Sequence, residues 1–240
     1  MILDRERAIN EADKERIRAN LLRAISHDLR TPLTSIIGSS DSFTENYAAL
    51  SDQEKLDLVS SINEDSHWLL NMVENLLSIT RIQGDTGRVR KEDELVEEVV
   101  SEAITRIKKR IPDIEIHVTA PDNILIIPMD PLLIEQVLMN LMENAFVHSK
   151  TNRPVELQIS EESDTITFHV IDYGKGIDEQ TLPLILKGEY HVPKTSDTHR
   201  GMGIGLSICN TIVQAHGGQI SAHNHTHGAE FLFTLPKGDI

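Results

Sequence analysis

The run Ser26-His27-Asp28-Leu29-Arg30-Thr31-Pro32-Leu33-Thr34-Ser35 puts a nucleophile, a carboxylate and a hydroxyl into little more than one helical turn. Leu22, Ile25, Leu29 and Ile36 recur at spacings that share one face, with Leu33 close beside them. His27 lies two residues from Ile25 and so points away from that seam toward water. Thr31, four residues on, shares its face. Asp28 sits roughly a third of a turn round the helix, where it can orient an imidazole nitrogen or take its proton. Pro32 has no N–H to donate, which frees the carbonyl of Asp28 and should bend the helix there. Alone, His27 reads as a surface histidine beside a kink. The whole run reads as a nucleophile presented to solvent.

A second set of residues lies in the other half of the chain: Asn140 to His148, Asp172 to Gly176, Gly201 to Leu206, and His216-Gly217-Gly218. Asn140 and Asn144 are four apart, so both amides share a helix face and can jointly hold a hydrated metal or phosphate oxygens. Asp172 ends a strand-like run, where its carboxylate can accept a hydrogen bond from an adenine amino group. Gly174 and Gly176 let the backbone turn sharply and approach a flat base. Gly201, Gly203 and Gly205 lead straight into a helix whose N-terminus suits phosphates. Each piece alone is weak: no strand of the Rossmann kind precedes the triple glycine, and no P-loop lysine follows it. Their order and spacing together are the signal.

The elements that must position these groups follow from periodicity. Residues from about Ala8 to Tyr47 read as one long helix, and Asp52–Ile82 as its antiparallel partner, capped by Ser51 or Asp52. Val59, Ile62, Leu69, Val73 and Leu76 form a seam near the heptad period. Two helices cannot bury both seams alone, so a homodimeric four-helix bundle is expected. The polar break at 83–87 reads as part of a hinge. The division expected is residues 1–84 for the hairpin, 85–92 for the hinge and 93–240 for a second domain. That domain should hold helices at 93–110, 130–148 and 203–216, the middle one opened by Asp130 as N-cap and Pro131. Strands are expected at 114–119, 124–128, 155–160, 165–172, 219–224 and 229–235. Such alternation indicates an α/β sandwich, with helices on one face of a mixed sheet. Lys187–Arg200 has no apolar period and reads as a lid.

These motifs, in this order, resemble the catalytic core of bacterial two-component sensor histidine kinases, and the resemblance covers nearly all 240 residues. Ser26–Thr34 resembles the phospho-acceptor box, Asn140–His148 the N box, Asp172–Gly176 and Gly201–Gly205 the two glycine boxes. Residues 228–236 resemble the closing strand. Lys14-Glu-Arg-Ile-Arg18 and Arg200 to Leu206 are most similar to the potassium-responsive branch.

The resemblance implies a helical hairpin followed by an ATP-binding domain of the Bergerat type. It implies that His27 accepts the γ-phosphoryl group of ATP, with Asp28 as base or orienting group. Thr31 would place water for the reverse phosphatase activity. Asn144, assisted by Asn140, would coordinate Mg²⁺. Asp172 would read adenine, and His148, Gly174, Gly176, Gly201, Gly203, Gly205 and Leu206 would complete the nucleotide site. The partners implied are a second copy of the chain and the receiver domain of a response regulator. The family further implies the cytoplasmic part of a membrane-anchored bacterial protein, with the membrane reached through upstream segments.

Two positions depart from the family pattern. Val147 stands where a lysine or arginine commonly meets a phosphate, and Leu182–His191 replaces the usual phenylalanine-rich box. Lys150, Lys194 and Arg200 are candidates to restore the charge. Two alternatives follow: a degenerate kinase serving as phosphatase or scaffold, and an ATPase of the same nucleotide fold. Against the ATPase stands Asn140, where related hydrolases place a glutamate.

A net charge of −15 argues against a nucleic-acid binder of the basic-patch kind. No apolar span of about 20 residues and no signal peptide is legible, so these residues are expected to be soluble as they stand. Cys209 lies in an apolar helix and reads as a buried, reduced thiol. His223, His225 and His227 alternate, which reads as solvent-facing histidines on a terminal strand, with a metal site as the sharper alternative. His117 and His169 sit in strand patterns without a partner motif. Trp68 and Met72 read as packing, and Glu143 could pose as a general base beside Asn144.

Overall fold

The computed structural model describes residues 29–82, 89–186 and 204–238. The chain divides between Leu76 and Leu77 into two compact units. His27, Asp28, Gly201, Gly203, the lid and residues 85–88 of the hinge lie outside the described residues.

The first unit is a helical hairpin. Helix α1 runs through residues 29–45, and α2 spans Asp52–Ile82. Pro32 is buried while Thr31 is exposed, and the Thr34 hydroxyl donates to the Arg30 carbonyl at 2.8 Å. Ser51 and Glu54 form a reciprocal capping box at the start of α2. The Ser51 N–H and hydroxyl donate to Glu54 Oε2 at 2.8 and 2.7 Å, and the Glu54 N–H returns to Ser51 Oγ at 3.3 Å. Those bonds hold the Glu54 carboxyl below the ordinary carboxylate range.

The expected seam on α2 is two stripes rather than one. Leu58, Ile62, Asp65, Leu69 and Met72 are buried or half-buried. Leu56, Val59, Leu70 and Val73 are 65, 50, 55 and 46% exposed. These four fall on a strict three-four spacing, with Asn63 and Ser66 in the intervening places. The single heptad expectation merged two faces because both are apolar every third or fourth residue.

In the second unit, five strands form one sheet in the order β2-β4-β5-β7-β6: Ile116–Thr119, Val155–Glu161, Thr165–Ile171, Gly228–Pro236 and Ile220–His225. Only β2 and β4 run parallel; the other pairs are antiparallel. Leu157, Ile159, Ile166, Phe168, Val170, Phe231, Phe233 and Leu235 are buried at alternate positions. Phe168 and Phe233, directly opposite in register, stack at 4.6 Å. Helices α3 (Val96–Arg110), α4 (Pro131–Ser149) and α6 (Ile204–Ala215) complete this core. A short α5 spans Leu182–Ile185.

The start of the expected helix at 93–110 is corrected. Glu92–Leu95 is instead strand β1, paired antiparallel with β3 (Ile126–Met129) in a separate two-stranded ribbon. The Val96 N–H donates to the Leu125 carbonyl at 3.0 Å, and α3 begins only there. Tertiary pairing overrides a charged stretch that reads equally well as a first helical turn. No helix among the described residues is long and apolar enough to cross a membrane.

Candidate nucleotide site

Helix α4 is started by its own sequence. Asp130 Oδ1 accepts from the Leu133 N–H at 3.2 Å, Pro131 takes the first helical position, and the helix ends at Lys150 with φ 51°. This fixes Asn140 and Asn144 one turn apart. Asn140 is buried and accepts from Gln136 Nε2 at 3.4 Å, whereas Asn144 is half-buried. A Cβ placed on Gly205, in the first turn of α6, would lie 4.0 Å from the Asn140 amide carbon. Gly205, the last glycine of the second box, thus faces Asn140 of the N box. Leu206 is buried beside it, and the Cys209 thiol donates to the Val137 carbonyl at 3.9 Å. Burial pushes that thiol up to about 12, the inert state expected of it.

Asp172 is only 7% exposed at the end of β5. Its Oδ1 accepts from the Gly174 and Ala229 N–H groups at 2.7 and 3.3 Å, and its own N–H donates to the Ala229 carbonyl at 2.9 Å. Both side-chain bonds end on Oδ1, so Oδ2 is the atom left to accept from a ligand. Gly174 is pressed onto the end of α4: a Cβ there would fall 2.6 Å from the Ser149 Cα. Gly176 takes φ +76°, and a Cβ would meet Asn224 Oδ1 at 2.9 Å.

His148 stands exposed at the rim. Partial burial lowers its pKa; the nearby Asp172 charge opposes this, and Lys150 and Lys175 reinforce it. Val147 is half-buried, as an apolar side chain should be. Of the three cations proposed to replace it, Lys150 lies close to His148, while Lys194 and Arg200 are outside the described residues. Lys175, between the two glycines, is a cation that the sequence reading passed over.

Asn224 and Asn210 were not singled out from sequence, and His225 was read there as solvent-facing. Asn224 pairs its amide with the backbone of Ile177, accepting from N–H at 2.7 Å and donating to C=O at 2.6 Å. His225 is half-buried rather than solvent-facing. Its Nε2 donates to the Asp172 carbonyl at 2.9 Å, and its Nδ1 accepts from the His227 N–H at 3.3 Å. Asn210 on α6 donates to the Leu186 carbonyl at 3.3 Å, where α5 ends. His223 and His227 are exposed as expected. His169 does have a partner: Nδ1 lies 2.6 Å from Glu230 Oε1, on the next strand. No pattern along one strand could reveal a diagonal neighbour. Glu143 is engaged by Arg110 of α3, which takes it away from the role of a free base.

The donor set fits a nucleotide carrying a hard cation. Asn144, half-buried on α4, carries an amide oxygen of the kind a hard cation takes, and no group of three or more His, Cys, Asp or Glu among the described residues could hold a metal alone. Phosphate and water oxygens would complete such a shell.

Residues 17–85 match the His Kinase A (phospho-acceptor) domain, and 129–239 match the histidine kinase-, DNA gyrase B- and HSP90-like ATPase family. The chain is 42% identical over 236 residues to the sensor protein KdpD of Clostridium acetobutylicum, covering 98% of this chain and 26% of that protein. It is 34% identical over 239 residues to KdpD of Escherichia coli, covering 97% and 26%. It therefore spans about a quarter of the length of these relatives. Among solved structures, the histidine kinase ThkA in complex with the response regulator protein TrrA superposes with TM-score 0.71 at 22% identity, covering 95% of this chain and 64% of that one. The ThkA catalytic domain alone gives 0.53 at 26% identity, covering 61% and 95%.

Proposed function

The chain belongs to the sensor histidine kinases as a KdpD-like catalytic core, and we propose that it moves the γ-phosphoryl group of ATP onto His27 and then onto an aspartate of a response regulator. In the first step a P–N bond forms at an imidazole nitrogen while the P–O bond to ADP breaks. The imidazole proton passes to Asp28. In the second step the phosphoryl group leaves nitrogen for a carboxylate oxygen of the receiver domain. Phosphoryl transfer needs positioning and charge neutralisation more than covalent work from the protein.

The observation that carries the reading is the geometry of Asp172. Its carboxylate is tied through Oδ1 to the Gly174 and Ala229 N–H groups, which leaves Oδ2 for a ligand, and Gly174 beside it packs against the end of α4. Oδ2 accepts from the adenine amino group, and the glycines admit the base. Asn144, with Asn140 one turn before it on α4, would hold Mg²⁺, which would supply positive charge against the phosphates. Lys150 and Lys175 supply the positive charge that Val147 does not. Thr31, exposed beside the buried Pro32, is available to orient water for dephosphorylation of the regulator.

The exposed stripe of Leu56, Val59, Leu70 and Val73 supports a homodimer, since a three-four apolar seam on a hairpin packs against its own copy. Membrane attachment would come through segments outside this chain.

Val147 favours a second reading, a core that binds nucleotide but works mainly as a phosphatase. Incubation with Mg²⁺ and γ-labelled ATP decides between them. An acid-labile, alkali-stable label that vanishes in His27→Ala is expected. Nucleotide binding without label would establish the second reading instead.

A further inference from the structure

Helices α4 and α6 run antiparallel and meet at three levels. Asp130, the N-cap of α4, lies against His216, which follows the last residue of α6. Seven residues along α4 and seven back along α6, Val137 meets Cys209. Beyond that, Asn140 faces Gly205. At about 1.5 Å per residue, the His216 end stands roughly 15 Å from the nucleotide end.

His216 is 1% exposed, and its ring bonds assign one neutral tautomer. Nδ1 donates to the Ile212 carbonyl at 2.8 Å, which leaves Nε2 to accept the Asp130 N–H at 3.1 Å. The His216 carbonyl accepts in turn from Lys91 Nζ at 2.7 Å. One residue thus satisfies an α6 carbonyl, the backbone N–H of the α4 N-cap, and a cation from the segment just before β1. A lysine at a helix C-terminus also suits the helix dipole.

We infer that His216 is a positioning residue for the nucleotide site: it pins the far ends of α4 and α6 so that Asn140 and Gly205 face each other at the near ends. The inference rests on the nucleotide reading above. Two antiparallel rods pinned at one end keep their register at the other, and interiors this closely packed do not absorb a slip gradually. The charged groups facing the ring are Lys91 and Asp130. Burial is the main cause that lowers its pKa; Lys91 adds to it, and Asp130 and the Ile212 bond oppose it. The neutral acceptor is therefore complete above about pH 6.5, the ordinary histidine value, and is lost as pH falls through the lowered one. Protonation would put a donor opposite the Asp130 N–H.

The test is affinity for Mg·ADP in the 240-residue chain, measured by calorimetry from pH 5 to 8. Folding is followed by circular dichroism, and His216→Leu and His216→Gln are compared. His216→Leu should weaken ADP about tenfold at pH 7.5, the size of one lost buried hydrogen bond. His216→Gln can still offer Oε1 to Asp130 and should recover most of that loss. Wild-type affinity should fall at acid pH, and the Gln variant should not share that fall. Should His216→Leu fail to fold, the Gln variant and the wild-type pH profile decide. Wild-type affinity in both variants, or the same pH profile in His216→Gln as in wild type, would overturn the inference. Wild-type protein that binds no ADP at any pH would overturn the nucleotide reading itself, and this inference with it.

Discussion

His225 holds Asp172 from behind. The histidine donates from Nε2 to the Asp172 carbonyl at 2.9 Å, while the Asp172 side chain is held through Oδ1 by Gly174 and Ala229. Backbone and carboxylate of one residue are therefore fixed from opposite sides of a hairpin, and its remaining oxygen has little freedom to turn away. Tyr173 extends the brace, lying edge-on to His225 at 5.8 Å with its hydroxyl donating to Glu156 Oε1 at 2.6 Å.

From this arrangement, Asp172→Asn should cost at least tenfold in ATP affinity, because an amide cannot satisfy its two backbone donors and adenine in the same way. His225→Ala should weaken ATP several-fold while leaving the melting temperature within a few degrees. Calorimetric titration of both variants checks this, and unchanged affinity in Asp172→Asn would remove adenine recognition from that residue.

Asn144→Ala should abolish the gain in ADP affinity that Mg²⁺ provides, while binding of metal-free ADP changes little. Titrations with Mg²⁺ and with a chelator give the comparison. An equal loss in both would make Asn144 a structural residue instead.

Arg106 and Glu135 join α3 to α4 at 2.6 Å, with Glu135 only 5% exposed. Burial raises the pKa of that carboxyl, and Arg106 offsets part of the rise. Arg106→Ala leaves the carboxylate without its partner and should cost about 1–3 kcal/mol, discounted for the half-exposed arginine. Adding Glu135→Gln should restore much of it, as chemical denaturation of the single and double variants would reveal.

Val59→Glu with Leu70→Glu places charge on the exposed stripe of α2 and should convert a dimer into a monomer with its helix content retained. Light scattering coupled to size exclusion reads the mass directly. A dimer that survives both changes would move the interface to another face.

Thr31→Ala should leave labelling of His27 intact and slow dephosphorylation of the regulator by tenfold or more, if the hydroxyl orients the attacking water. Time courses with phosphorylated receiver domain measure it. Equal loss of both activities would instead point to a damaged helix.

Much of this protein was legible in its sequence because its signals are local. Asp130 and Pro131 announce the start of α4, and the four-residue spacing of Asn140 and Asn144 puts both amides on one face whatever surrounds them. Ser51 and Glu54 form their capping box from residues three apart. The alternation in β4, β5 and β7 marks which side of the sheet is buried. Periodicity and capping depend on neighbours along the chain, so one sequence suffices to read them.

Tertiary structure alone decided the rest. Glu92–Leu95 became a strand only because Ile126–Met129 was there to pair with it. His225, His216 and His169 each took a partner from more than fifty positions away, beside the local bonds of His225 with His227, His216 with Ile212 and His169 with Ser160. The two stripes of α2 could be separated only by which of them the folded chain buries. Hydrogen bonds and burial between distant segments depend on where the chain returns, and that geometry is written in no window of sequence.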